Sequence, residues 1–171
     1  IIDNDTKNVL NQFSDWGYIV PEATSPKDVK DIVDGSDPNE PIDVMINSPG
    51  GYVIAGQEIY SVLRSTKERC TVTVESQADS AAGVIAMAGN KVIMSPVGEI
   101  MIHNVAMDGE ISGDYHVLEK AVGRLKNMNA AMAQAYVEKS GMPLDKVLNL
   151  MDQETWLTAN QCIESRLPAA F

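Results

Sequence analysis

The 171-residue chain is short of positive charge, thiols and imidazoles: 13 Lys and Arg stand against 24 Asp and Glu, with two cysteines and two histidines. A net charge of -11 repels phosphate backbones and anionic lipid, so neither nucleic acid nor a membrane is an expected partner. Cys70 and Cys162 show no metal-ligand spacing and read as two buried thiols, so no disulfide framework, metal or cofactor is expected. That usage fits a reducing, cytoplasmic setting. The longest apolar stretch, about Ala81 to Ala88, falls far short of the ~20 residues a membrane span needs, and no basic flank leads into a cleavable hydrophobic segment. The first residue is Ile1 and not methionine, as in a processed or trimmed chain. Repeats and low-complexity linkers are lacking too. The expectation is one domain, residues 1–171, burying roughly 70% of its unfolded surface.

What is present alternates between strand and helix signals. "WGYIV" at 16–20 predicts a short strand, and "TSPKDVKDIVDG" a helix with Ser25 as N-cap, Pro26 in its first turn and Gly35 at its end. "PIDVMINSPGG" at 41–51 is a strand entering a Pro-Gly-Gly turn. Ile54, Ile59, Val62 and Leu63 then fall at helical spacing, and "CTVTVES" at 70–76 returns as a β-branched strand. A short helix of small residues is expected from Ser80 to Ala88, then strands "KVIMS" and "EIMIHN". A long helix over 114–139 ends at Gly141 and Pro143. Helices follow from Leu144 to Met151 and from the capping box Thr158-x-x-Gln161. This rhythm implies an α/β domain with a mostly parallel sheet.

Val117, Leu118, Ala121, Leu125, Met128, Met132 and Val137 give the long helix an apolar stripe. At 1.5 Å per residue it runs roughly 39 Å, too long for one small domain to cover. The projecting part calls for a second copy of the chain.

Candidate chemistry centres on "ESQADSAAGVIAMAG". Asp79 or Ser80 can cap the short helix by accepting from its free N–H groups. Alternatively Ser80 is a nucleophile, which needs a base, a group orienting that base, and N–H donors for an oxyanion. His103, closing an apolar strand, is the candidate base, with a buried neutral imidazole as the other reading. His116 lies on a helix face beside Asp114 and reads as solvated. Gly50 and Gly51 form either a plain turn or a close-approach segment whose N–H groups face an anion.

"INSPGGYVIAGQEIYSVLRS", "QADSAAGVIAMAG", "EIMIHN" and "ETWLTANQCIESRL" follow one another in the order and spacing of the Clp protease proteolytic subunit (ClpP) family. From about Ile42 to Leu167 the chain resembles that family, and most of all its phage and prophage members. The resemblance implies a ClpP/crotonase-like α/β spiral of repeated ββα units with a long protruding handle helix. The head would comprise about 1–104 and 142–171, and the handle about 105–141, with "DGEISG" as the handle's strand-like edge. It implies Ser80 as nucleophile, His103 as general base, and the Gly51 and Ala81 N–H groups as the oxyanion hole. The family's usual acid is an aspartate; alignment on "WLTA" puts Glu154 in its place, with Asp152 as the fallback.

The implied function is a serine endopeptidase acting on polypeptides inside an oligomeric chamber, a heptameric ring or stacked rings, in the cytoplasm of a bacterial host. An AAA+ unfoldase is a further implied partner, and prophage head maturation an implied role. Two other readings stand beside it: a crotonase-type acyl-CoA enzyme, and an inactive ClpP-like structural subunit.

Overall fold

The computed structural model describes residues 1–16, 22–165 and 167. The elements run α1 (Asn4–Asp15), α2 (Pro26–Gly35), β1 (Ile42–Ser48), α3 (Val53–Ser65), a 3-10 turn (Lys67–Arg69), β2 (Cys70–Asp79), α4 (Ala81–Ala86), β3 (Lys91–Met94), β4 (Glu99–Ile102), α5 (Tyr115–Ser140), α6 (Leu144–Asp152), β5 (Thr155–Thr158) and α7 (Ala159–Glu164). The strand expected at 16–20 lies outside the described residues apart from Trp16, which is the C-cap of α1.

β2 organises the sheet. β1 lies parallel along one of its edges. Its other edge is divided between two parallel partners, β3 over Thr71–Val74 and β4 over Gln77–Asp79. β5 then closes the far side antiparallel to β4. The β-branched run Val72, Val74 alternates inward, and the core gathers Met94, Ile100, Ile102, Leu63 and Tyr136 around it. α4 is buried from end to end, which its Ala and Gly content permits because small side chains let a helix press against a sheet.

Local chemistry fixes most element ends. Ser25 and Asp28 form a capping box on α2, and Thr158 with Gln161 forms another on α7. Asp114 caps α5, whose far end stops at Gly141 in the left-handed region (φ 71°). Cys70 and Cys162 are free and buried, and burial pushes the Cys162 thiol up to about 11.

Two expectations change. "DGEISG" forms no strand: residues 105–114 are irregular, because an edge becomes a strand only when another strand pairs with it. The strand "TWLT" was not foreseen, since four residues of mixed character show no period of their own and pair only because β4 is there. No described helix is long and apolar enough to cross a membrane.

Candidate active site

β2 ends at Asp79 and α4 begins at Ala81, leaving Ser80 as the junction, with φ 56° and ψ -123°. A non-glycine residue in this region stores about 1–3 kcal/mol of strain. The sharp strand-to-helix turn lifts the side chain clear of both elements. Backbone bonds hold it there: Ser80 N–H donates to Met101 O at 2.9 Å and Ser80 O accepts from Gly83 N–H at 3.0 Å. The Ser80 side chain makes no capping hydrogen bond. Its Oγ instead lies 2.7 Å from His103 Nε2.

His103 follows directly on β4, whose partner β2 leads into Ser80, so adjacent parallel strands deliver the two side chains to the same end of the sheet. If Nε2 accepts the serine proton, Nδ1 is the nitrogen that bears the ring hydrogen. Among the described residues Nδ1 has no hydrogen-bond partner. His116 stands far off in sequence and exposed on α5, 3.9 Å from Glu119.

The Pro-Gly-Gly turn packs directly on this junction. A Cβ added at Gly50 (φ 101°) would meet Asp79 O at 2.7 Å and the Ser80 Cβ at 2.8 Å, so only glycine allows the approach. At Gly51 (φ 143°) a Cβ would run into Ile1 O at 2.0 Å. Neither the Gly51 nor the Ala81 N–H has a partner among the described residues. Those two donors are free to serve another acceptor.

The acids differ in their surroundings. β4 and β5 pair as Glu99 with Thr158 through Ile102 with Thr155; His103 follows the last of these pairs on one strand and Glu154 precedes it on the other. Glu154 is exposed, in the left-handed region (φ 47°), and makes no side-chain hydrogen bond to His103 among the described residues. Asp152 is engaged elsewhere, its Oδ1 accepting from Asn104 Nδ2 at 2.8 Å.

A cavity of about 230 Å³ opens beside Ser80 and His103, with Val53, Val84, Met132, Met151 and Tyr136 in its wall. Among the described residues no group of three or more His, Cys, Asp or Glu side chains could hold a metal. Sequence reasoning did not find Asn104 or Asn129, whose amides meet behind His103, and treated Asp79 only as a cap. Asp79 is in fact buried, its Oδ1 without a partner.

The chain is 31% identical over 127 residues to the ATP-dependent Clp protease proteolytic subunit 1 of Chlamydia pneumoniae, covering 73% of this chain and 66% of the relative. It is 29% identical over 129 residues to the protein of the same name in Chlamydia muridarum, covering 74% and 67%. With that of Protochlamydia amoebophila it shares 28% over 131 residues, covering 75% and 64%. The chain thus spans about two thirds of the length of these relatives. The Clp protease family model matches residues 30–167, most of the chain including the Ser80 junction, β4 and β5, and so the chain belongs to the Clp protease family and has its ClpP/crotonase-like α/β fold.

Proposed function

We propose that the chain is a serine endopeptidase in which Ser80 and His103 are the working pair. The observation that carries this reading is the 2.7 Å approach of Ser80 Oγ to His103 Nε2 at a strained strand-to-helix junction. Nε2 takes the hydroxyl proton as Oγ bonds to the carbonyl carbon of a peptide. The carbonyl π pair moves onto oxygen, where the Gly51 and Ala81 N–H groups receive it. On collapse the C–N bond breaks and Nε2 returns the proton to the departing amine. Water, activated by the same imidazole, then hydrolyses the acyl-enzyme. Glu154 is the acid proposed to orient Nδ1–H, supported by its position next to Thr155, which pairs with Ile102 just before His103. A glutamate reaches one methylene further than an aspartate, which suits an apo geometry that is not yet hydrogen-bonded.

The family and the relatives' name, which includes "proteolytic subunit", support a polypeptide substrate. We read 1–104 and 142–171 as head and 105–141 as handle, with handles packing into a ring that encloses the serines. The relatives' name also includes "ATP-dependent", in keeping with an ATP-driven unfoldase as partner. Fluorophosphonate labelling with the adduct mapped by mass spectrometry tests the reading. Ser80 is expected to carry the adduct, and Ser80→Ala to lose peptidase turnover by about 10⁶-fold while folding normally. Equal turnover by both proteins would overturn the serine mechanism. A crotonase-type acyl-CoA enzyme, using its oxyanion hole without a serine nucleophile, would give no adduct at Ser80.

A further inference from the structure

The segment after His103 is held by a polar chain that the proposed reaction does not use. Val105 N–H donates to Asn129 Oδ1 at 2.6 Å, Asn129 Nδ2 to Asn104 Oδ1 at 2.9 Å, and Asn104 Nδ2 to Asp152 Oδ1 at 2.8 Å. The two ends fix its direction. A backbone N–H can only donate and an ionised carboxylate only accept, so each amide between them has a single workable orientation.

The three side chains come from different places: Asn104 from the segment after β4, Asn129 from the middle of α5, and Asp152 from the last position of α6. Among the described residues, no backbone hydrogen bond to another segment holds residues 104 to 113. β4 therefore fixes the main chain before His103, and Asn129 fixes it after. An imidazole poised 2.7 Å from a hydroxyl is sensitive to such support, since a misplacement of about 1 Å can cost on the order of 10² in rate.

We propose that Asn129 is a positioning residue for His103, acting through Asn104 and Val105, and that the Asp152 carboxylate is the acceptor ending this chain and not the acid of the imidazole. The inference rests on Ser80 and His103 being the working pair. Asp152 then needs an oxygen acceptor, not a charge.

The test uses the whole chain in its native assembly. Asn129→Leu removes both hydrogen bonds while keeping the number and branching of side-chain heavy atoms. Asn129→Asp keeps the acceptor for Val105 and loses the donor to Asn104. Peptidase kcat is expected to fall by about 10- to 100-fold in Asn129→Leu with KM within about twofold, and by less in Asn129→Asp. Asp152→Asn retains an Oδ1 acceptor and should stay well above Asp152→Leu. Equal damage from these two would assign Asp152 a charge-based role and overturn the proposal. So would a wild-type kcat in Asn129→Leu, or a loss confined to KM.

If Asn129→Leu fails to fold by circular dichroism, the Asn129→Asp and Asp152 pairs decide by the same criteria. If Ser80 in the wild type takes no fluorophosphonate, the working-pair reading is what has failed. The polar chain is then judged by hydrogen exchange of the Val105 amide, slow in wild type and in Asn129→Asp, which keeps the acceptor, and faster in Asn129→Leu. Equal exchange in wild type and Asn129→Leu overturns it.

Discussion

Asp79 places an ionisable carboxyl, only 3% exposed, one residue before Ser80, with Oδ1 lacking any partner. Burial first, then the nearby Glu99 charge, pushes its pKa up, with the Met101 amide pulling the other way. The folded protein therefore binds this proton more tightly than the unfolded chain does. The stability it contributes is complete below the ordinary carboxylate range and is lost as pH rises through the raised folded value. Asp79→Asn should accordingly raise Tm at pH 7 by about 2–4 °C, the shift expected for ~1 kcal/mol in a chain of this size. Melting curves from pH 4 to 8 would check this: the gain should shrink towards pH 4, and a gain independent of pH would contradict the assignment. At this scale the approach of Ser80 to His103 was foreshadowed, since a serine before a small-residue helix and a strand-ending histidine were candidates beside their capping and buried-imidazole readings, and the family resemblance singled them out. Asn104 and Asn129 were not. Amides occur anywhere in a sequence, and 25 residues separate these two along the chain, so only tertiary placement makes them partners.

Among the elements, the turn between β1 and α3 has the narrowest tolerance. Gly50 combines a positive φ with contacts under 3 Å for any added Cβ, one of them the Ser80 Cβ itself. Gly50→Ala should lower peptidase kcat by on the order of 10²-fold, through displacement of the neighbouring Gly51 donor and of Ser80, and destabilise by about 1–3 kcal/mol. Steady-state kinetics and thermal melting measure both, and wild-type kcat would refute the close-approach argument. Helices α2 through α7 and strands β1 to β4 were readable because each has its own period, cap or glycine stop. α1 was missed although Asp3 caps it, its side chain accepting from Thr6 N–H. It buries no residue, and its apolar side chains, Val9, Leu10 and Phe13, make only one short stripe in its C-terminal half. β5 was missed because its pairing depends on β4. The parallel rhythm was legible, but the fork of β2 between β3 and β4 was not, since register is a property of two strands together.

At the scale of the molecule, α5 is divided. Its buried residues are Met132, Ala133, Ala135 and Tyr136, all towards the C-terminal end, whereas residues 111–120 are exposed throughout. Of the apolar stripe read from the sequence, Met132 meets the core, while Val117, Leu118 and their neighbour Val122 are 41–50% exposed. Packing that half of the helix against another copy is the proposed use of this surface. Sedimentation velocity at micromolar concentration should then show a particle well above 18.5 kDa, and Val117→Glu combined with Leu118→Lys, both on the exposed half, should split or weaken it. A wild-type protein sedimenting as a monomer would refute the packing. The groups proposed to react, Ser80, His103, Glu154, Gly51 and Ala81, all belong to one chain, so on the proposed mechanism dilution removes no reacting group from any subunit. What a lone subunit stands to lose is the seating of α5, and with it the hold of Asn129 on the segment after His103. Specific activity on a short peptide should therefore decline smoothly to a reduced plateau as the protein is diluted, a graded loss of tuning and not a loss of parts.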